Sequence, residues 1–354
     1  MSAPARIGKY EISGELGRGG MAVVYRAMDP IIHRPVAIKV VRKGDLDGHE
    51  AAPILERFKR EARAAGSLQH PNIVGIYEYG EDDESAWLVM ELVAGKSLRE
   101  HLIAGWRPGF AELPEVLVQL LEALEYSHSR GVIHRDIKPA NVLVSDMGVA
   151  KISDFGIARI ERSHLTQAGE VLGTPYYMAP EQFDGKNADE RTDIYAAAVI
   201  VYEVLCGRRP FEGAGGAFLK QVLTNLPPAP SSLEPRLPAA IDAVLLKALA
   251  KEPAQRYSGA RAFLEALKQA FRPAQRLAGV GALRRAIKAE ASSPAVHPPV
   301  APAAAGQKLP AILFVDDEER VLNALSALFR GTYEIETATR GAGALERLKA
   351  RRFH

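Results

Sequence analysis

Short alternating apolar runs separated by Gly and Pro dominate the amino-terminal part of the chain. Longer stretches with apolar residues three and four apart dominate the middle. The alternation predicts strands over 10–15, 23–28 and 36–41. Leu55, Phe58, Ala62 and Ala65 then fall on one face of a helix over 54–68, opposite charged positions. After His70-Pro71-Asn72, two more strands are expected over 73–79 and 86–92. Apolar stripes predict helices over 113–128, 192–205, 217–223, 241–249 and 260–271. The pattern is α+β and bilobal, a small β-rich lobe with one main helix and a larger α-helical lobe.

From Arg272 the pattern changes. Leu277, Val280, Leu283 and Ile287 can form one helical face beside Arg276, Arg284, Arg285 and Lys288, either capping the large lobe or meeting a membrane surface or partner. Residues 292–310 are so rich in Pro and Ala that an extended linker is expected. A buried strand over 311–315 then ends in Asp316, Asp317 and Glu318, followed by a helix through Phe329, a strand over 333–337 and a helix over 341–350.

At 354 residues the chain has room for about two domains on a prior of ~150 residues each. A hydrophobic content of 47% and a charged content of 25% exclude a disordered or fibrous chain. The net charge of +2 gives no reason to expect nucleic acid as a partner. A single cysteine, Cys206, excludes an internal disulfide framework, fits a reducing cytosol and reads as a buried thiol. No run approaches the ~18 apolar residues of a membrane span, and no signal peptide opens the chain, so a cytoplasmic protein without a membrane span is expected.

Four segments carry candidate chemistry. Gly17-Arg18-Gly19-Gly20-Met21-Ala22-Val23-Val24 lies between two predicted strands, where absent side chains let backbone amides approach phosphates. A simple hairpin turn is the alternative. Lys39 closes Val36-Ala37-Ile38-Lys39, where alternation puts it on the face of Ala37; alone it reads equally as a solvated strand-end lysine. His134-Arg135-Asp136-Ile137-Lys138-Pro139-Ala140-Asn141 and Asp154-Phe155-Gly156 offer a proton acceptor and two hard oxygen ligands within a short span. An isolated Asp-Phe-Gly is otherwise a common turn.

In this order the motifs resemble those of bacterial eukaryotic-like serine/threonine protein kinases. The resemblance implies the protein-kinase fold over 10–271, with a small lobe at 10–93, a large lobe at 94–271 and a leader at 1–9. It implies ATP and Mg²⁺ as cofactors and proteins with Ser or Thr acceptors as substrates. Asp136 would be the catalytic base, Lys138 would steady the transferring phosphoryl group, and Asn141 and Asp154 would hold the metal. Lys39 would hold the α and β phosphates while pairing with Glu61, unless Arg57 occupies that glutamate. The glycine loop, including Gly17, Arg18, Gly19, Gly20, Met21 and Ala22, would cover the nucleotide; Ala22 replaces the family's third glycine. Leu16, Val24, Ala37 and Leu143 would wall the adenine, with the backbones of Glu91 and Val93 as hinge and Met90 as gatekeeper.

The resemblance further implies an activation segment from Asp154 to Ala179-Pro180-Glu181. Thr166 would be its regulatory phosphosite, with Ser163 as runner-up and Arg135 as phosphate partner. Thr174 would position Asp136 and Lys138, Glu181 and Arg256 would form a buried ion pair, and Asp193 would anchor the catalytic loop. Autophosphorylation of the activation loop in trans, within a homodimer, is a possibility carried by the family alone. The competing class is a nucleotide-binding pseudokinase or scaffold, which the complete catalytic set disfavours.

The segment 309–354 resembles part of a response-regulator receiver domain, a flavodoxin-like α/β fold, joined through a linker at 272–308. Its acidic cluster would bind Mg²⁺. The sequence stops at His354 before the third strand that would carry the phosphoacceptor aspartate, so a partial receiver of marginal stability is expected.

Overall fold

Six strands form one antiparallel sheet in the order β1-β2-β3-β4-β6-β5. They are β1 (Arg6–Ile7), β2 (Tyr10–Arg18), β3 (Ala22–Asp29), β4 (Arg34–Arg42), β5 (Ile76–Glu81) and β6 (Ser85–Glu91). The computed structural model describes residues 4–19, 22–46, 51–110, 112–155, 176–183, 188–272, 311–315, 326, 334–339 and 347, without the side chains at 51, 57, 61 and 312.

Strand β4 organises this lobe because both of its faces are covered. Val36, Ile38 and Val40 pack into a core with Tyr10, Tyr25, Ala27, Trp87 and Val89. Val41, on the opposite face, packs with Leu88 against Ile54, Phe58 and Ala62 of helix α1 (Ala51–Gly66). The expected helical face is therefore rotated slightly: Ile54 is buried, whereas Leu55 is half-buried. Alternation leaves Ala37 and Lys39 facing the same way as Val41. In register, Ala37 lies beside Arg26 and Met90, and Lys39 lies beside Val24 and Leu88.

The strand expected over 73–79 begins later. Ile73 instead forms a parallel bridge with Ile152, and the Val74 N–H donates to Ile152 O at 2.9 Å. A three-stranded sheet, β7 (Gly95–Ser97), β8 (Val142–Ser145) and β9 (Ala150–Ile152), was not legible in strands so short. It leads into α2 (Leu98–Ile103), whose Ser97–Glu100 capping box satisfies first-turn amides.

The helical lobe is built round two helices, α3 (Glu115–His128) and α5 (Glu190–Cys206), with α4 (Pro180–Phe183) between them in sequence. Helix α5 is buried on nearly every side from Thr192 to Leu205, which marks it as the lobe's central rod. Asp189 caps its start and Gly207, at φ +74°, ends it. Cys206 is only half-buried, so the expected buried thiol is corrected: it packs against the edge of the lobe's core beside the buried Val204 and Leu205. Helices α6 (Gly215–Thr224), α7 (Pro230–Leu233), α8 (Ala240–Ala248) and α9 (residues 260–272) complete the lobe.

The chain divides into two compact units, Met1–Gln275 and Arg276–His354. In the second, β10 (Ala311–Val315) pairs in parallel with β11 (Glu334–Ala338), from Ala311 opposite Glu334 to Val315 opposite Ala338. The acidic trio 316–318 and the basic segment 276–288 lie outside the described residues.

Candidate functional site

The catalytic-loop motif is fixed by a buried carboxylate. Asp193, fully buried on α5, accepts the backbone N–H of Arg135 at 2.7 Å and that of His134 at 2.8 Å, and His128 Nε2 lies 2.8 Å away. Arg135 sits at φ +68°, a strained value for a residue with a side chain, so these charge-assisted bonds hold a conformation the loop would not choose alone. Asp193 thus anchors the loop, as expected.

His134 is also fully buried and braces the loop from the other side. Its Nε2–H donates to Ser153 O at 2.9 Å, while Nδ1 accepts the Asp136 N–H at 3.2 Å, and its ring lies 4.7 Å from that of Phe155. The two partners define one tautomer. His134 therefore ties the backbone of Asp136 to that of the residue preceding Asp154. Asn141 repeats the link, its carbonyl accepting the Ser153 N–H at 2.9 Å.

Within this frame Lys138 Nζ lies 2.7 Å from Asp136 Oδ2. Asn141 Nδ2 donates to Asp136 O at 2.9 Å and to Asp136 Oδ2 at 3.2 Å, leaving its own Oδ1 as the acceptor end. Lys39 Nζ lies 2.7 Å from Asp154 Oδ1. Burial works against the Asp154 charge, yet the Lys39 ammonium, with smaller contributions from His134 and Lys138, holds that carboxyl below the ordinary aspartate value. The structure therefore brings Lys39, Asp136, Lys138, Asn141 and Asp154 to one locality.

An apolar cluster adjoins these charges. Ala37, Met90 and Val74 form a buried cluster with Val24, Leu92, Val93 and Leu143 packed against it. Leu16 is not part of this cluster and is 45% exposed. In the glycine loop, Gly17 pairs with Val24 past a bulge, and Gly19 N–H donates to Ala22 O at 2.8 Å. A Cβ on Gly17 would meet nothing within 4 Å, so the space beside it is open. Arg18 turns outward to Glu15, 2.7 Å away. One carboxylate and one amide oxygen supply two hard donors, which suits a cation that takes its other ligands from phosphate and water.

A family model described as a protein kinase domain matches residues 10–271. The chain belongs to the protein kinase family. It is 40% identical over 267 residues to serine/threonine-protein kinase PrkC of Bacillus subtilis, covering 75% of this chain and 41% of that protein. It is 43% identical over 269 residues to the probable serine/threonine-protein kinase SCO3848 of Streptomyces coelicolor, covering 73% and 40%. A crystal structure of Rad53 1-466 in complex with AMP-PNP superposes with a TM-score of 0.61 at 28% identity, covering 74% of this chain and 65% of that one. The chain spans about two fifths of the length of these curated relatives.

The kinase domain's expected ion pair between Glu181 and Arg256 is present and fully satisfied. Arg256 Nη1 and Nη2 reach the two Glu181 oxygens at 2.8 and 2.7 Å, and its remaining N–H groups go to the carbonyls of Arg191, Lys251 and Ala250. Gly20, Met21, Ser163, Thr166, Thr174 and the side chain of Glu61 lie outside the described residues. Two contacts of the kinase domain had no clear signal in the sequence. Lys151 pairs with Glu91 at 3.0 Å, tying β9 to the expected hinge, and Glu91 Oε2 also accepts the Gly75 N–H at 3.2 Å. The other is the bracing role of His134, whose only signal was its place at the head of the motif.

Proposed function

We propose that this protein kinase transfers the γ-phosphate of ATP to serine or threonine hydroxyls of proteins, as a component of bacterial signal transduction. The observation that supports this most strongly is the Lys39–Asp154 contact beside the Asp136–Lys138–Asn141 cluster, five residues from three separate motifs gathered near one apolar cluster. The names of serine/threonine-protein kinase PrkC and probable serine/threonine-protein kinase SCO3848 favour the hydroxyl acceptor class.

In this reading adenine lies against Val24, Ala37 and Leu143 beneath Leu16, bounded by Met90, with hydrogen bonds to the backbone of Glu91 and Val93. The glycine loop covers the phosphates. Lys39 leaves Asp154 for the α and β phosphates, with Glu61 as its second partner. Asp154 and Asn141 would hold Mg²⁺, which would neutralise phosphate charge when bound. Asp136 orients the acceptor hydroxyl and takes its proton late, as the hydroxyl oxygen bonds to the γ-phosphorus and the bond to the ADP oxygen breaks. Lys138 offsets charge on the transferring group, and Thr174 positions Asp136 and Lys138. Phosphorylation of Thr166, or of Ser163, would order the activation segment through Arg135, and a homodimer would supply it in trans.

The segment 309–354 is read as part of a receiver domain at the end of a linker over 272–308. The parallel β10–β11 pair supports this, because two parallel strands joined through a crossover are the unit from which such a sheet is built. A radiolabel assay with Mg·ATP and a generic protein acceptor tests the kinase reading. Phosphoserine and phosphothreonine are expected on the acceptor and on the enzyme. Incorporation equal to that of Asp136→Ala would leave only a nucleotide-binding scaffold.

A further inference from the structure

A groove beside the catalytic loop is lined by Lys138 and Ala140, by Arg99 and Ile103 of α2, and by Arg107, Tyr177, Glu203 and Arg209. Its charge is one-sided. Among the described residues none of Arg99, Arg107 and Arg209 forms an ion pair with a carboxylate, and Glu203 is the one acidic group in the lining. That acid accepts the Tyr177 hydroxyl at 2.5 Å and also feels the charges of Arg99, Arg107 and Arg209, so one carboxylate is shared among three guanidinium groups.

Two of the arginines are held in place by the fold. The Arg107 guanidinium donates to Trp106 O at 2.9 Å and to Gly207 O at 3.1 Å. It lies so close to Gly207 that a Cβ there would come within 2.8 Å of Arg107 Nε. The Arg209 guanidinium lies 3.3 Å from the centre of the Tyr176 ring. A guanidinium held by neutral partners keeps its charge uncompensated and loses little further freedom when an anion arrives. Positive groups gathered next to Lys138, where an acceptor chain must pass, repel basic segments and attract acidic ones.

We infer that this groove selects protein substrates whose phosphoacceptor is flanked by aspartate or glutamate, with Arg99, Arg107 and Arg209 as specificity-determining residues. The inference rests on the kinase reading and names the substrate class of that same site. The single carboxylate does not offset three guanidinium groups, and the low net charge of the whole chain makes the local excess a property of this groove.

The test uses the full chain, Mg·ATP and three synthetic peptides sharing one threonine, with flanks of glutamate, glutamine or lysine. The glutamate peptide is expected to show kcat/KM about tenfold above the glutamine peptide, mostly through KM, with the lysine peptide lowest. The triple variant Arg99→Gln, Arg107→Gln, Arg209→Gln should close that gap while kcat on the glutamine peptide stays within about twofold. Should the triple variant fail to melt cooperatively, Arg99→Gln and Arg209→Gln singly should each shrink the gap about threefold. Equal kcat/KM for the glutamate and glutamine peptides, or a gap that survives these substitutions, overturns the inference.

Fluorescence anisotropy of a labelled glutamate peptide separates this from the kinase reading, because it needs no turnover. Salt-sensitive binding without transfer to any peptide would remove the enzymatic reading and keep the groove. Transfer without charge-dependent binding would keep the enzyme and remove the groove.

Discussion

The Lys39 ammonium and the Asp154 carboxylate, far apart in sequence, meet at 2.7 Å across the site. The pair lies in a partly buried setting, and Lys39 is the main opponent of the burial that would otherwise raise the Asp154 pKa. Lys39→Met should therefore raise that pKa and remove the cation assigned to the nucleotide phosphates. Phosphoryl transfer is expected to fall at least ~100-fold with the melting profile little changed. Steady-state assays beside a thermal melt check both halves.

The Glu181–Arg256 pair leads to a stability prediction with a definite pH sign. Burial disfavours the Glu181 anion, but the Arg256 fork and the Thr192 hydroxyl overcome this and hold its pKa below the ordinary 4.5. The pair's contribution is therefore present above pH 4.5 and is lost as the pH falls through the folded-state value. Glu181→Gln leaves Arg256 buried and uncompensated, and should cost about 3–5 kcal/mol at neutral pH. Urea unfolding at a series of pH values should show the variant's deficit shrinking below pH 4.5.

Gly207 carries two separable constraints. Its φ of +74° disfavours any side chain, and a Cβ would press on Arg107 Nε at 2.8 Å. Gly207→Ala should cost about 1–2 kcal/mol from the backbone alone. Adding Arg107→Ala should recover the steric part and leave the backbone part, a non-additivity that denaturant unfolding of the four species measures.

Much of the fold was legible because its signals are local and periodic. Ala37 and Lys39 share a face in β4 as alternation requires, and the octapeptide from His134 to Asn141 compresses most of the charged site into one turn and its flanks. The features that stayed hidden depend on contacts between distant segments. Strands β7 to β9 are too short to show a period, and the bond from His134 to Ser153 O has no spacing signature. Ile54 replaces Leu55 in the core because the packing of α1 on Val41 and Leu88, not the helix alone, sets which face is buried. Arg99, Arg107 and Arg209 come from α2, a following loop and the loop after α5, so nothing in their order foretold a shared groove. The Cys206 thiol, half-buried at the end of α5, is still pushed up to about 12 by burial, which makes it a poor nucleophile despite its partial exposure.

The decisive measurement is phosphopeptide mass spectrometry of the chain incubated with Mg·ATP, run beside Asp136→Asn. The substitution keeps the size of the side chain and its contact with Asn141 but removes the proton acceptor. Phosphothreonine and phosphoserine should accumulate in the unsubstituted protein and fall by about 10²–10⁴-fold in the variant, whose nucleotide affinity and melting temperature should hold. Equal phosphorylation of the two proteins, or none in either, would contradict the role of Asp136 as the base of a phosphoryl-transfer site.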